Sequence, residues 1–158
     1  MPRNSESHIL IPLCEAKDYG SAGVDFDSVH MGRIHSLSVA IDFGAITGNS
    51  ILKVSHGATE GTKTTDVAFK YRFGGGDFKA ASADILGAAT AVASTGLTLT
   101  ATTYDHRLLV IEVDADTITD GQPWLTVSID ATASVMLCGA IGVGNPRYEG
   151  NTAVTVIK

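Results

Sequence analysis

Along most of the chain, apolar and polar side chains alternate one for one, the period of a half-buried β-strand. Leu37, Val39, Ile41 and Phe43 point one way, and Ser36, Ser38, Ala40 and Asp42 the other. Val67, Phe69, Tyr71 and Phe73 alternate with Ala68, Lys70 and Arg72. Leu125, Val127 and Ile129 alternate with Trp124, Thr126 and Ser128. Val24 and Phe26 alternate with Asp25 and Asp27, which predicts a strand with one acidic face. Further strands are predicted over 50–58, 97–101, 107–113 and 134–143. Leu108-Leu109-Val110-Ile111 shows no alternation and predicts a strand buried on both faces.

Glycine and polar clusters punctuate these runs at 44–49, 60–63 and 74–77. The Ala-, Ser- and Thr-rich stretch Ala80–Thr95 holds either one short helix near Ala83–Ala89 or a long loop. Gly144-Asn145-Pro146 is a stop, and Ala153–Ile157 could form a terminal strand. The pattern amounts to about eight or nine short strands, which predicts a sandwich, a jelly roll or a barrel. The hydrophobic spacing differs from strand to strand, which disfavours a solenoid. The expected organisation is an N-terminal arm over 1–17, a β-sandwich domain over 18–145, and a C-terminal tail or edge strand over 146–158.

Composition sharpens this. The 13 Val, 12 Ile and 17 Thr are β-branched types that suit a pleated surface and lose rotamer freedom in helices. The 158 residues fit one domain, and 44 % apolar content is enough for a real core. A charged fraction of 18 % argues against a coiled coil. The net charge of −6 excludes a basic nucleic-acid coat, whose affinity would come from Lys and Arg on phosphates. No apolar run approaches the ~18 residues of a membrane span. The first residues lack the basic-then-apolar layout of a signal peptide. The chain therefore reads as soluble and made in a cytoplasm, with neither nucleic acid nor membrane as partner.

Candidate chemistry is sparse. Cys14 and Cys138 lie far apart in sequence and form neither a disulfide framework nor a zinc cluster, so each reads as a small buried hydrophobe. His30 and His35 would face opposite sides of one strand, and His8, His56 and His106 read as surface or loop residues. Asp114, Asp116 and Asp120 resemble the start of a calcium loop. Ile118, Thr119 and Leu125 then stand where a ligand, the glycine and the glutamate belong, so an acidic turn is expected. Asp25 and Asp27 read as two acids facing water. Gly74–Gly76 lacks a following Gly-Lys-Ser/Thr, and residues 139–144 lack the dinucleotide spacing. The sequence thus predicts no catalytic residue, no cofactor and no metal. Such a module works most naturally by binding a surface.

Val110–Asp116, Asp120-Gly121, Trp124–Val127 and Asn145-Pro146-Arg147-Tyr148 together resemble the head decoration, or cement, proteins of tailed bacteriophages. Thr65–Tyr71 and the stretch from Asp18-Tyr19 through Gly23-Val24 to Met31 are similar too. The resemblance implies a jelly-roll-type sandwich on the outer surface of a virion capsid. It implies a homodimer or homotrimer at a symmetry axis, with the major capsid protein as partner. Interface residues are expected at the two ends. Ile9, Leu10 and Ile11, and Val154 and Val156, suit strand addition, although they could equally be edge strands of their own domain. Arg147 and Tyr148 are interface-enriched types. The alternative is a carbohydrate- or receptor-binding module of a tail or fibre, with an aromatic platform around Trp124 or Tyr104.

Overall fold

The computed structural model describes residues 7–74, 85–132 and 134–147. Its strands are β1 (Ile9–Asp18), β2 (Val24–Asp25), β3 (Val29–His30), β4 (Ile34–Ile46), β5 (Ser50–Gly57), β6 (Thr65–Asp66), β7 (Phe69–Phe73), β8 (Thr90–Val92), β9 (Leu97–Leu99), β10 (Leu108–Asp114), β11 (Trp124–Ile129) and β12 (Met136–Pro146). One helical turn, α1 (Ala101–Tyr104), precedes β10. The fold is an antiparallel β-sandwich. Sheet A has the order β1-β12-β4-β10-β7-β8, and sheet B the order β2-β11-β5-β6, with β3 also on β11 and β9 also on β5.

The pairings nest. β1 pairs with β12, β2 and β3 pair with β11, β4 pairs with β10, and β5 pairs with β6 and β9. Each pair lies inside the previous one along the chain, and successive pairs alternate between the sheets. The chain is therefore a long two-armed hairpin rolled over itself. Lateral pairs β12·β4 and β11·β5 then join the layers of the roll within each sheet.

Period-2 alternation is what lets this roll close on one core. Leu37, Val39, Ile41 and Phe43 of β4, Leu109, Ile111 and Val113 of β10, and Met136, Cys138 and Ala140 of β12 line the inner face of sheet A. Leu52 and Val54 of β5 and Leu125, Val127 and Ile129 of β11 oppose them from sheet B. β11 carries the further buried residues Thr126 and Ser128 because polar loops cover its outer side.

Residues 9–17 do not form an arm. They are most of β1, the edge strand of sheet A, and they bury Ile11 and Leu13 in the core. The turn after β1 fixes this placement. Asp18 Oδ1 accepts from the N–H groups of Gly20 and Met136, each at 2.9 Å. Gly20 must be glycine there, since a Cβ would stand 1.5 Å from the Ser134 carbonyl oxygen.

Two other expectations change. β10 is not buried on both faces: Leu109, Ile111 and Val113 point inward, while Leu108 and Val110 sit half-exposed on the outside. No helix forms over the described part of Ala83–Ala89. Leu86 instead bridges to Gly74, consistent with small side chains that bury too little area to hold a helix on the sandwich. Residues 148–158, including Tyr148, Val154 and Val156, lie outside the described residues.

Candidate interaction surface

The outward face of sheet A is apolar where a solvated sheet would be polar. Paired residues of antiparallel strands share a face, so the register lists its rows. One row runs Leu10–Val143–Ser38–Glu112–Lys70, and the next Pro12–Ile141–Ala40–Val110–Arg72. A third brings Gly139 and Asp42 beside Leu108. Leu10 and Ile141 are each 54 % exposed, and Leu137 is also open to solvent. A shallow groove of about 350 Å³ runs through this face between Cys14 and Ala16 on one side and Leu108 on the other. Charge lies on the β10–β7 side, where Arg72 Nε faces Glu112 Oε2 at 3.7 Å, and at Asp42 of β4 on the groove wall.

The patch covers four strands spaced ~4.8 Å and about five residues of ~3.3 Å each, or about 300–400 Å². That matches the largest patch of a typical monomer, which is often a contact site. The sequence carried the signal without its meaning. Non-alternating apolar runs at 108–111 and 135–143 mark two apolar faces, but only one of them meets the core. Leu108, Val110, Leu137, Ile141 and Val143 are therefore recognisable as contact residues only once the sheets have formed.

The end residues named from sequence divide. Leu10 lies on the apolar face, Ile9 is half-buried and Ile11 is buried, paired with Gly142 of β12. Arg147 is held by its own domain. Its N–H donates to the Arg33 carbonyl at 3.0 Å and its Nε to the Ile34 carbonyl at 3.1 Å.

His56 is not a surface or loop residue. It is 1 % exposed, with Nδ1 at 2.9 Å from Gln122 Oε1 and Nε2 at 3.4 Å from Thr119 Oγ1. The loop from β10 to β11 folds over the end of β5 and supplies these partners, which no local spacing could reveal. Asp114, Asp116 and Asp120 belong to that loop, whose first turn is 3₁₀ with Thr117 Oγ1 donating to the Asp114 carbonyl at 2.7 Å. Among the described residues no group of three or more His, Cys, Asp or Glu side chains is placed to hold a metal ion. Asp25 accepts from Lys63 Nζ at 2.7 Å. Asp27 is not simply solvated: burial, with Glu60 nearby, pushes its carboxyl above the usual range against the Ser28 N–H.

Among the described residues the aromatics form no open platform. Tyr104 is buried beside Phe73, with its hydroxyl 3.4 Å from that of Tyr71. Trp124 is half-buried and meets the His30 ring edge-on at 5.0 Å and 85°. Among the described residues no helix is long and apolar enough to cross a membrane. The chain matches no protein-family model, no curated protein and no solved structure.

Proposed function

We propose that the protein is a non-enzymatic decoration, or cement, protein. In this reading it binds the outer surface of a tailed-phage head as a homodimer or homotrimer and stabilises contacts between major capsid protein subunits. The observation that carries the reading is the apolar outward face of sheet A, bordered by edge strand β1. An uncovered apolar surface is a standing gain for whatever docks on it, at ~25 cal/mol per Å² removed from water. The face supplies about half of the ~800 Å² per partner of a standard interface. The remainder would come from backbone pairing along β1 and from residues near the chain ends. Cement need not bind tightly at each joint, since a closed shell repeats the contact many times.

The nested, sheet-alternating strand pairs support a jelly roll as the architecture, a fold used by capsid and lectin domains alike. The receptor-binding alternative needs an accessible aromatic platform, and the buried Tyr104 and edge-packed Trp124 disfavour it.

The test mixes the protein with expanded heads assembled from the capsid protein of the same genome and follows co-sedimentation. Saturable binding at a fixed ratio to capsid subunits is expected, lost in Ile141→Asp at an unchanged thermal midpoint. Absence of binding by the wild type overturns the role. Full binding by Ile141→Asp overturns the assigned face.

A further inference from the structure

The two cysteines, remote in sequence, meet across the β1–β12 ladder. The pairing slips twice along β1, first between Pro12↔Ile141 and Cys14↔Ala140, then between Cys14↔Ala140 and Lys17↔Cys138. Each slip inserts an extra β1 residue, and such bulges bend a strand and re-aim its side chains. Gly139 lets the bulged segment press onto β12: a Cβ there would stand 3.1 Å from that of Ala16. As a result the Cys138 thiol, buried in the sandwich, hydrogen-bonds the half-buried thiol of Cys14. Cys14 also lines the open groove on sheet A, while Cys138 does not. Cys14 stands opposite Ala140, two residues from Cys138 along β12, so the two thiols meet on a diagonal of the ladder.

We propose that Cys14 and Cys138 form a redox-modification site, at which exchange with a low-molecular-weight disulfide of the glutathione class staples edge strand β1 to β12. Cys14 thiolate attacks one sulfur of the small disulfide. The S–S bond breaks, a mixed disulfide forms on Cys14, and one thiolate leaves and takes up a proton. Cys138 then loses its proton and attacks the Cys14 sulfur, expelling the second thiol. Two protein thiols are oxidised to one disulfide, and one small disulfide is reduced to two thiols.

The pair is polarised for that order of events. The Cys138 hydrogen bond holds the Cys14 thiol below its ordinary value, helped by the Ala140 N–H and the Tyr19 hydroxyl and opposed by burial and Glu15. Cys138 is pushed up by the same contact and by burial. The thiolate is the nucleophile, so the accessible, more acidic Cys14 attacks and the buried Cys138 resolves. The bond would close a loop of more than a hundred residues, which the chain-entropy relation converts to a rise in thermal midpoint of roughly 10 °C.

The full-length protein is incubated with oxidised glutathione, unfolded in acid and titrated for free thiols, with intact mass measured in parallel. The wild type is expected to go from two titratable thiols to none, to lose the mass of two hydrogen atoms, to stay monomeric on a non-reducing gel, and to melt about 10 °C higher. Cys138→Ser is expected to stop at one glutathione on Cys14. Persistence of both thiols, a stable glutathione adduct on the wild type, or a disulfide only between chains overturns the site. If Cys138→Ser fails to fold, Cys138→Ala provides the same trap.

Discussion

Ser28 and Thr126, 98 residues apart, meet hydroxyl to hydroxyl at 2.7 Å beneath the outer surface of sheet B. Ser28 Oγ also accepts from the Gly61 N–H at 3.0 Å. The pair therefore pins the β5–β6 connection over β11 and explains how the outward residues of β11 come to be buried. Ser28→Ala removes the acceptor and leaves two polar groups unpaired, so it is expected to destabilise by ~1–3 kcal/mol. The double substitution Ser28→Ala/Thr126→Val is expected to cost less than the sum of the single changes, because the second removes an already orphaned hydroxyl. Urea unfolding of the four proteins in the cycle checks this. A strictly additive result would mean that the hydroxyls do not interact.

Asp18 gives a pH prediction. The N–H groups of Met136 and Gly20 hold its carboxyl below the usual value of 3.8. The folded pKa is thus depressed. Its contribution is full above the unfolded value and is lost as pH falls through the folded one. Asp18→Asn is expected to lower the thermal midpoint at neutral pH, with the gap to wild type closing below about pH 4. A gap that stays constant down to pH 2.5 would show that the carboxylate charge is immaterial.

The sandwich was legible because the alternation of Leu37–Phe43 and of Leu125–Ile129 is a local property that the pleat converts directly into an inner and an outer face. The buried His56 was not legible, since Gln122 and Thr119 reach it only once the β10–β11 loop lies over β5. Nor was the meeting of Cys14 with Cys138. It depends on two bulges, and a bulge changes which face a residue serves without changing the composition around it. The apolar outer face of sheet A was half-legible: the unbroken run at 108–111 announced a second apolar side but not that the sandwich leaves it open.

That last distinction can be measured within one dipeptide. Ile111 is fully buried in the core, while its neighbour Val110 sits half-exposed on the outward face beside Ala40. Ile111→Ala is expected to cost ~2–5 kcal/mol by loss of transfer energy and creation of a cavity. Val110→Ala is expected to cost under ~1 kcal/mol in the isolated protein. Equal losses in chemical denaturation would mean that Val110 is already covered, for instance by self-association.

The placement of β1 is tested by truncation. If residues 9–17 were a free arm, removing them would spare the sandwich. The structure instead makes them the strand that covers β12, carries Ile11 and Leu13 into the core, and leads to the Asp18 link with Met136. Burying the two aliphatic side chains alone is worth ~1.5–3 kcal/mol each. A small domain holds only ~5–15 kcal/mol in total. A chain starting at His8 is therefore expected to melt within about 2 °C of the intact protein, since it keeps the whole strand. A chain starting at Tyr19 is expected to lose most of its cooperative transition and to expose the flank of β12, an unpaired edge prone to association. Differential scanning calorimetry of the two truncations decides the matter. Retention of a sharp, near-native transition by the shorter chain would return residues 9–18 to the status of an appendage.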